Sequence, residues 1–457
     1  AVARGLAKAV LPDDPKAKER VEAAAATLAK KLEAGETVYG TGTGFGHSSD
    51  LHMTDPTALQ VGLIDSLNAA SGGRPLPDED VRAAMLVRAN ALIRGYSPIH
   101  WRMLEHLITL LGRDIIPVVK ERGTISASGD LVPLAQVVAV LMGKEYATAR
   151  HGGEVIPATE ALRRAGLGPI ELSPGEGLSL VNGTSFASSL AAMNLYEAIP
   201  LALLAQAMAA MTVEALKGSR QPYLAIVQEL KGHAGQVEVG KNITHLLAGS
   251  QLAREDTAGQ QRMEAREKAQ EPYAVRTISQ WLDQPVRTLL AAAESVTREL
   301  NSVNDNPIVV AEDDRILHTG NFQNPIGADM DQTRQALQMI GNGVFAQTQT
   351  LLDERHNAGL PIDLVGSDDP TTESGMKGLD IVLAALLSEL KYLANPMVVH
   401  VQNAEGGNQN LNSLGHISAR YTRTTIEVLQ QMLAIQLYML VQAIDLRHIE
   451  RAYHQAT

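Results

Sequence analysis

The chain has 457 residues, about three times a typical domain of ~150 residues, so we expect several domains or one large enzyme. It is 45% hydrophobic but only 4% aromatic, and a core of Leu, Ala, Val, Ile and Met favours packed helices over a β-sandwich. A net charge of −12 argues against nucleic-acid binding, and the absence of cysteine excludes disulfides, thiolate metal sites and a cysteine nucleophile.

Glycine, proline and serine clusters divide the first part of the chain into loops and short amphipathic helices. The periodicity predicts helices over 80–94, with Asp78 as a possible cap, and over 99–112. Few segments alternate as strands do, so any sheet is expected to be small. The predicted loops are 40–46, 71–77, 95–98, 123–130 and 151–157.

From about residue 184 the sequence consists of long Ala-, Leu- and Gln-rich stretches with helical periodicity. A helix of ~33 residues is roughly 50 Å long, and parallel rods of this length form bundles that other subunits often complete. The sequence therefore predicts a loop-rich N-terminal domain over 1–184 and an elongated helical core and oligomerisation domain over 185–457. The predicted long helices are 185–217, 277–302, 326–353, 374–394 and 413–447.

The most apolar stretch, residues 199–216, is interrupted by Pro200, Gln206, Thr212 and Glu214, so it is predicted to be a buried core helix rather than a membrane span. Nothing at the start of the sequence resembles a signal peptide. We expect a cytoplasmic protein with no membrane partner.

Sequence patterns for nucleotide and metal binding are missing. The glycine-rich segment 39–46 does not have the spacing of a nucleotide-binding loop, and no strong strand precedes it. The histidines are scattered without HExxH or HxH spacing, so no metal is expected. Tyr39 is the notable residue here, because it places a phenol on a backbone that can approach a ligand closely.

The segment 123–134, Gly-Thr-Ile-Ser-Ala-Ser-Gly-Asp-Leu-Val-Pro-Leu, resembles the signature of the histidine, phenylalanine and tyrosine ammonia-lyases and their sister aminomutases. In that family Ala-Ser-Gly cyclises to the electrophile 4-methylidene-imidazol-5-one (MIO). The residue types suit this reaction. The unhindered amide of Gly129 can attack the Ala127 carbonyl, and the Ser128 side chain can leave as water to give an exocyclic methylene.

A helix is predicted directly after the tripeptide, with Asp130 as its cap and Pro133 in its first turn. The positive end of this helix would point at the electrophile. The alternative interpretation is an ordinary helix N-terminus without any prosthetic group.

The resemblance covers most of the chain and is greatest to phenylalanine ammonia-lyases. It implies a mainly α, fumarase/aspartase-like fold, MIO as the prosthetic group with no metal or nucleotide, and a homotetramer of dihedral symmetry whose sites each use three subunits. The matching segments are 38–46, 177–184, 270–276, 301–307, 320–323 and 401–415. The resemblance implies catalytic roles for Tyr39, Ala127, Ser128, Gly129, Asn182 and Tyr273, and substrate contacts for Gly46, Ser66, Leu67, Leu178, Gln270, Arg276, Asn304, Phe322, Lys377, Ile381, Glu405 and Gln409.

These residue types suit the elimination of ammonia. Tyr39 can remove a β-proton only as phenolate, and because its reference pKa is about 10, nearby positive potential is expected. Arg276 suits the substrate carboxylate and Glu405 its ammonium group. Asn182 and Tyr273 would position the electrophile and the amine.

Substrate choice depends on Ser66-Leu67, where phenylalanine enzymes carry Phe-Leu, tyrosine enzymes His-Leu and histidine enzymes Ser-His. Leu67 argues against histidine. Ser66 is too short to reach a phenol, and an unpaired buried hydroxyl costs roughly 1–3 kcal/mol, so phenylalanine is expected, with room for bulkier rings. Lys377 is typical of phenylalanine-acting relatives, although a solvated helix charge is the alternative. Phe322 is expected to pack beside the prosthetic ring.

Several functions stay open. The leading hypothesis is conversion of L-phenylalanine to trans-cinnamate and ammonia. A phenylalanine 2,3-aminomutase would use the same groups and return the amine to the β-carbon, and a tyrosine or histidine ammonia-lyase is a further alternative. An inactive helical scaffold would be expected to have lost Tyr39, the tripeptide or Arg276, and all are present.

Overall fold

The computed structural model describes residues 1–69, 71–255, 270–320, 325–367, 369 and 371–456. Within these residues the chain is mainly α-helical, with three small antiparallel sheets. The predicted mainly α class is confirmed.

The part of the chain before residue 182 forms short helices: α1 (Pro15–Glu33), α2 (Pro56–Asn68), α3 (Asp78–Leu92), α4 (Trp101–Gly112), α5 (Leu131–Leu141), α6 (Ala158–Ala165) and α7 (Glu176–Val181). Helices α1 and α2 each begin at a proline, which suits the first helical position. The aspartates before them, Asp14 and Asp55, accept hydrogen bonds from backbone N–H groups of the first turn.

Helices α3 and α4 confirm the predictions over 80–94 and 99–112. The predicted cap of α3 is wrong by one position, since Pro77 takes the N-cap position and Asp78 is the first residue of the helix. There the Asp78 carboxylate pairs with Arg150 instead.

The strands are short and lie between these helices. Strand β1 (Gly72–Pro75) pairs with β3 (Lys120–Arg122), and β4 (Thr148–His151) lies between β2 (Ile116–Pro117) and β5 (Glu154–Pro157). Strands β6 (Ile308–Val310) and β7 (Arg315–Leu317) form a separate hairpin.

The later part of the chain contains the long helices that the sequence predicts. Five of them match predicted stretches to within a few residues, except that α15 continues well past residue 447. The helices are α8 (Ser185–Ala215), α9 (Ala225–Lys231), α10 (Ala234–Leu246), α11 (Tyr273–Arg276), α12 (Ile278–Leu300), α13 (Ile326–Leu352), α14 (Lys377–Leu393) and α15 (Gly415–Ala456).

One helical stretch, Glu176–Ala215, is long and apolar enough to cross a membrane, judged by length and composition alone. Its most apolar window is 61% buried inside the protein. Such burial is typical of a core helix, in agreement with the interpretation of residues 199–216.

The chain divides into two compact units. The first unit consists of Ala1–Met193, Glu294–Met330 and Pro396–Arg420, and the second of Asn194–Ala293, Asp331–Asn395 and Tyr421–Thr457. Each unit is therefore built from three chain segments and differs from the contiguous division at residues 184 and 185 that the sequence predicts.

Buried arginines in the second unit satisfy carbonyl groups at the ends of long helices. Arg447 on α15 donates from Nε to the carbonyl of Ala215, the last residue of α8, at 2.8 Å. Arg334 on α13 donates to the carbonyl of Leu393, the last residue of α14, at 2.7 Å, and pairs with Asp331. These bonds satisfy acceptors that a helix C-terminus leaves without intrahelical partners.

Candidate active site

A cavity of about 700 Å³ lies in the first unit. It is bounded by the Tyr39 loop, the tripeptide, α2, α7, the segment after β7 and the loop before α15. Its lining includes Tyr39, Phe45, Gly46, Leu63, Leu67, Ala127, Ser128, Gly129, Leu178, Asn182, Asn306, His318, Glu405, Asn408 and Gln409.

The residues on either side of the tripeptide are joined by a buried hydrogen bond. The Ser126 hydroxyl donates to Asp130 Oδ1 at 2.7 Å, and Asp130 Oδ2 accepts from the backbone N–H of Ala187, near the start of α8, at 2.7 Å. Asp130 occupies the N-cap position of α5 but makes no side-chain capping bond there, so the predicted capping of its own helix is wrong. Burial raises the pKa of Asp130 to about 6, although these hydrogen bonds act in the opposite direction.

Gly129 has a left-handed φ of +71°, and a Cβ atom there would lie 2.2 Å from the carbonyl oxygen of Gly183. A Cβ at Gly183 would in turn lie 2.1 Å from Nη1 of the buried Arg88. Only glycine fits either position, because both side chains would meet backbone or buried guanidinium atoms. The tripeptide is therefore packed tightly against the turn between α7 and α8.

Two amide side chains approach the tripeptide side of the cavity. Gln409 Nε2 donates to Ser128 Oγ at 3.0 Å. Asn182 donates from Nδ2 to the carbonyl of Asn306 at 2.8 Å, while its buried Oδ1 has no hydrogen-bond partner among the described residues. A buried acceptor without a protein partner is normally satisfied by water or by a bound group.

The Tyr39 side chain lies in the same cavity. Its hydroxyl accepts from the Gly46 N–H at 2.9 Å, and its ring stacks on His318 with ring centroids 4.1 Å apart. Burial raises the pKa of Tyr39, the Gly46 N–H lowers it and the Glu405 carboxylate raises it further. The expected positive potential is thus not provided by the groups that act on Tyr39 here, and the net direction is opposite to the one predicted.

Glu405 faces the glycine loop across the cavity. Gly46 has a left-handed φ of +55°, which favours glycine, and a Cβ there would lie 1.5 Å from Glu405 Oε1, so the carboxylate would have to move. Asn408 Nδ2 donates to Glu405 Oε2 at 2.8 Å, and His47 lies 3.8 Å away. The Glu405 carboxylate is therefore held where it can accept a hydrogen bond from a cationic group.

Several predicted substrate contacts belong to the second unit and do not line this cavity. Tyr273 and Ile381 are each 68% exposed, and Gln270 is exposed as well. The Arg276 guanidinium lies 4.4 Å above the Tyr273 ring and donates to the carbonyl of Glu271. Lys377 is largely exposed, with its ammonium 3.8 Å from Asp363. The prediction for Phe322 lies outside the described residues.

On α2 the structure brings Leu67 to the cavity together with Leu63, one helical turn earlier. Ser66 does not line the cavity, is exposed, and donates to the Leu63 carbonyl at 3.0 Å. Leu63 was not predicted as a site residue, although its four-residue spacing from Leu67 could have indicated it.

Asn304 likewise lies behind the cavity, where its Oδ1 accepts from the N–H of Thr184 at 3.3 Å and from Arg88 at 3.4 Å. The lining residue of this segment is Asn306. Arg88 also donates to the Ser179 carbonyl and lies 3.7 Å from Asp305, whose pKa burial raises to about 7. This buried pair was not predicted. The available signal was Arg88, a charged residue on the otherwise apolar face of α3.

Metal binding finds no support in the parts of the chain that the structure describes, where no group of three or more His, Asp or Glu side chains could hold an ion.

Residues 1–457 match the model of a family described as aromatic amino acid lyase. A phenylalanine ammonia-lyase of Aspergillus hancockii is 41% identical over 94% of this chain and 63% of its own length. A phenylalanine aminomutase of Taxus canadensis is also 41% identical, over 95% of this chain and 63% of its own length. The chain thus spans less than two thirds of the length of these curated relatives.

Solved structures give the same picture. A phenylalanine ammonia-lyase from Rhodosporidium toruloides superimposes with a TM-score of 0.89 at 34% identity, covering 99% of this chain and 67% of its own. A tyrosine aminomutase from Streptomyces globisporus superimposes with a TM-score of 0.91 at 29% identity, covering 98% of this chain and 86% of its own.

Proposed function

The chain belongs to the aromatic amino acid lyase family, and from this premise we propose that it eliminates ammonia from L-phenylalanine to give trans-cinnamate. The observation that carries the proposal is the single cavity in which Tyr39, the tripeptide Ala127–Gly129, Asn182 and Glu405 meet. It brings a base, a precursor of an electrophile and a carboxylate within one site.

The residues present fit MIO as the prosthetic group. Gly129 has a conformation and surroundings that only glycine tolerates, and Ser128 can lose its hydroxyl while giving up only the bond from Gln409. The buried Oδ1 of Asn182 has no hydrogen-bond partner among the described residues, and a group beside it could supply one. When formed, MIO supplies the electrophile that converts the substrate amine into a leaving group.

Tyr39, ionised to the phenolate, is proposed to accept the β-proton at its phenolate oxygen. The C–H electron pair then forms the double bond, the C–N bond breaks, and ammonia leaves. The Gly46 N–H stabilises the phenolate, while burial and Glu405 oppose it. Glu405 lies where it can hold the substrate ammonium, and that cation would offset the effect of Glu405 on Tyr39.

We propose that neighbouring copies in a homotetramer complete the site. Tyr273, Arg276, Lys377 and Ile381 do not line the cavity of their own chain, and most of them are largely exposed. Arg276 from a neighbouring subunit would bind the substrate carboxylate with its planar fork and bring positive potential to Tyr39. Each site would then draw residues from three subunits.

A phenylalanine 2,3-aminomutase is the second candidate, and one observation favours it. Relatives named phenylalanine aminomutase are as similar to this chain as those named phenylalanine ammonia-lyase. The same residues would act, and ammonia would add to the β-carbon of cinnamate before the product leaves. The two candidates differ only in whether cinnamate escapes first.

The test is product analysis with purified protein. L-Phenylalanine is supplied, cinnamate is followed by its absorbance, and the mixture is then chromatographed for β-phenylalanine. Cinnamate as the main product supports the lyase, whereas β-phenylalanine as the main product establishes the aminomutase. Parallel reactions with tyrosine and histidine test the substrate. If none of the three amino acids reacts, the proposed function is wrong.

A further inference from the structure

Gln60 on α2 is a fully buried amide, with 0% of its surface exposed. Its Nε2 donates to the carbonyl of Gly40 at 2.7 Å, and its Oε1 accepts from the N–H of Leu178 at 2.9 Å. The side chain thus spans from the glycine loop to α7 and satisfies a backbone group on each. It does not line the cavity.

The backbone around this bridge leaves little room for adjustment. Gly40 has a φ of +71°, and a Cβ there would lie 2.6 Å from Leu178 Cδ2. A Cβ at Gly177 would lie 2.9 Å from the Cβ of Gln60. Where the bridge forms, the backbone of the loop therefore packs against the Leu178 side chain, and the backbone of α7 packs against the Gln60 side chain.

The two ends of the bridge lie next to residues of the cavity. Gly40 directly follows Tyr39, whose hydroxyl accepts from the Gly46 N–H. Leu178 lies one helical turn before Asn182, which approaches the tripeptide. A displacement at Gly40 consequently moves the phenol relative to Asn182 and the tripeptide.

Among the described residues, the other backbone hydrogen bonds of the loop stay within residues 38–53. Gly42 N–H donates to the Val38 carbonyl at 3.0 Å, and Met53 N–H donates to the Gly42 carbonyl at 3.0 Å. These bonds keep the shape of the loop without fixing its place. Gln60 instead ties the loop to α7. Losing either of its two hydrogen bonds leaves a buried backbone group, the Gly40 carbonyl or the Leu178 N–H, without a partner.

We propose that Gln60 is a positioning residue that anchors the Tyr39 loop to α7 and so holds the phenol oxygen at the distance that proton abstraction requires. The inference rests on the proposed function for its kinetic consequence. Its structural half, the anchoring of the loop, can be measured without any substrate.

The main variant is Gln60→Met, which keeps the length of the side chain and removes both hydrogen bonds. Gln60→Glu is the second variant, since its ionised carboxylate, favoured at the high-pH end of the assay range, keeps an acceptor for Leu178 and removes the donor to Gly40. The matched control is Gln136→Met on α5. Gln136 is also a buried glutamine that accepts from a backbone N–H, that of Lys120 at 2.8 Å, and it does not line the cavity.

The readouts separate positioning from folding. Intact mass reports whether the tripeptide has matured. Chymotrypsin, which cleaves after residues such as Tyr39 and Phe45, reports how often the loop opens. Steady-state kinetics with phenylalanine and with β-deuterated phenylalanine report kcat, KM and the isotope effect on proton removal.

Gln60→Met is expected to mature normally, to be cleaved in the loop about tenfold faster or more, and to lose about tenfold or more in kcat with KM changed less than threefold. The isotope effect is expected to rise, because proton removal becomes slower than product release. Gln60→Glu is expected to change in the same direction, and Gln136→Met to stay within about twofold of wild type.

Wild-type cleavage and wild-type kcat in both Gln60 variants would overturn the proposal, as would an equal effect of Gln136→Met. If Gln60→Met does not fold, Gln60→Glu decides alone. A wild-type protein without lyase or aminomutase activity would refute the proposed function, while the cleavage rates would still accept or reject the anchor.

Discussion

The two units of the chain differ in how much of the proposed site each holds by itself. The first unit already brings Tyr39, the tripeptide, Asn182 and Glu405 around one cavity. The second unit holds Arg276 and Tyr273 stacked on each other, with the Tyr273 ring largely exposed. On the proposed function, folding of one chain would prepare the electrophile, whereas recognition of the substrate carboxylate would wait for assembly.

The surface of the second unit agrees with this division. In the second unit several long-helix residues expose large apolar side chains, although a soluble surface normally leaves only scattered ones uncovered. In the proposed homotetramer, neighbouring copies would cover these faces. The exposed side chains are Tyr196, Leu203, Trp281, Leu290, Tyr392, Tyr438, Val441, Ile449 and Tyr453.

The largest expected effect comes from Ser128→Ala in the first unit. Wild-type protein is expected to weigh about 36 Da less than its sequence, since cyclisation and dehydration remove two waters. The variant can lose only the water of cyclisation, because it has no Ser128 hydroxyl to eliminate. Activity is expected to fall on the order of 10³-fold or more without the electrophile. The protein is expected to stay folded, because the one hydrogen bond that the Ser128 side chain makes to the described residues is the bond from Gln409. An unmodified wild-type mass in active protein would contradict this.

Arg276→Ala is the matching change in the second unit. It is expected to leave the mass loss of about 36 Da intact and to lower kcat/KM roughly 10²-fold, because the substrate carboxylate loses its partner. Intact mass and kinetics on the same sample check this. If Arg276→Ala does not show this mass loss, formation of the electrophile in the first unit depends on the second unit, and the difference between the two units is contradicted.

Local patterns predicted much of the fold and the outline of the site. Helical periodicity depends on neighbours a few residues apart, and so the long helices were predictable. The tripeptide motif located the proposed electrophile. The partners of Asp130 and Gln60 were not predictable, because their hydrogen bonds join residues 57 and 118 positions apart in the chain. The same limit explains why Asp130 was predicted to cap α5 when its carboxylate binds the start of α8.

Ser66→His tests the substrate wall of the first unit. Ser66 lies next to Leu67 but outside the cavity lining, so the longer imidazole is needed to reach a phenol from this side of α2. Wild type is expected to prefer phenylalanine, and the variant to raise the tyrosine-to-phenylalanine ratio of kcat/KM about tenfold. Leu63→His is the comparison variant, because Leu63 lines the cavity and Ser66 does not. Wild-type protein that uses tyrosine as well as phenylalanine would show that this assignment is wrong.

The smallest expected effect is on stability and concerns His416, which is buried in the first unit. Neither ring nitrogen has a partner among the described residues, and burial lowers the pKa of His416 to about 3. The folded state therefore binds fewer protons than the unfolded state below pH 6.5, and stability is lost as the pH falls.

His416→Leu removes this titration. Between pH 6.5 and 5.5 the wild type is expected to lose about 1 kcal/mol more unfolding free energy than the variant. Urea denaturation at a series of pH values measures the difference. Parallel pH dependence of the two proteins would show that His416 is not buried as a neutral ring.

Mixed reassembly tests the central claim, that each site combines the two units of different chains. Tyr39→Phe and Arg276→Ala are each expected to be nearly inactive as tetramers. When equal amounts are unfolded together and reassembled, about a quarter of the sites are expected to receive both intact residues, and activity returns in proportion. If mixed tetramers form and no activity returns, Tyr39 and Arg276 act within one chain, and the shared site is contradicted.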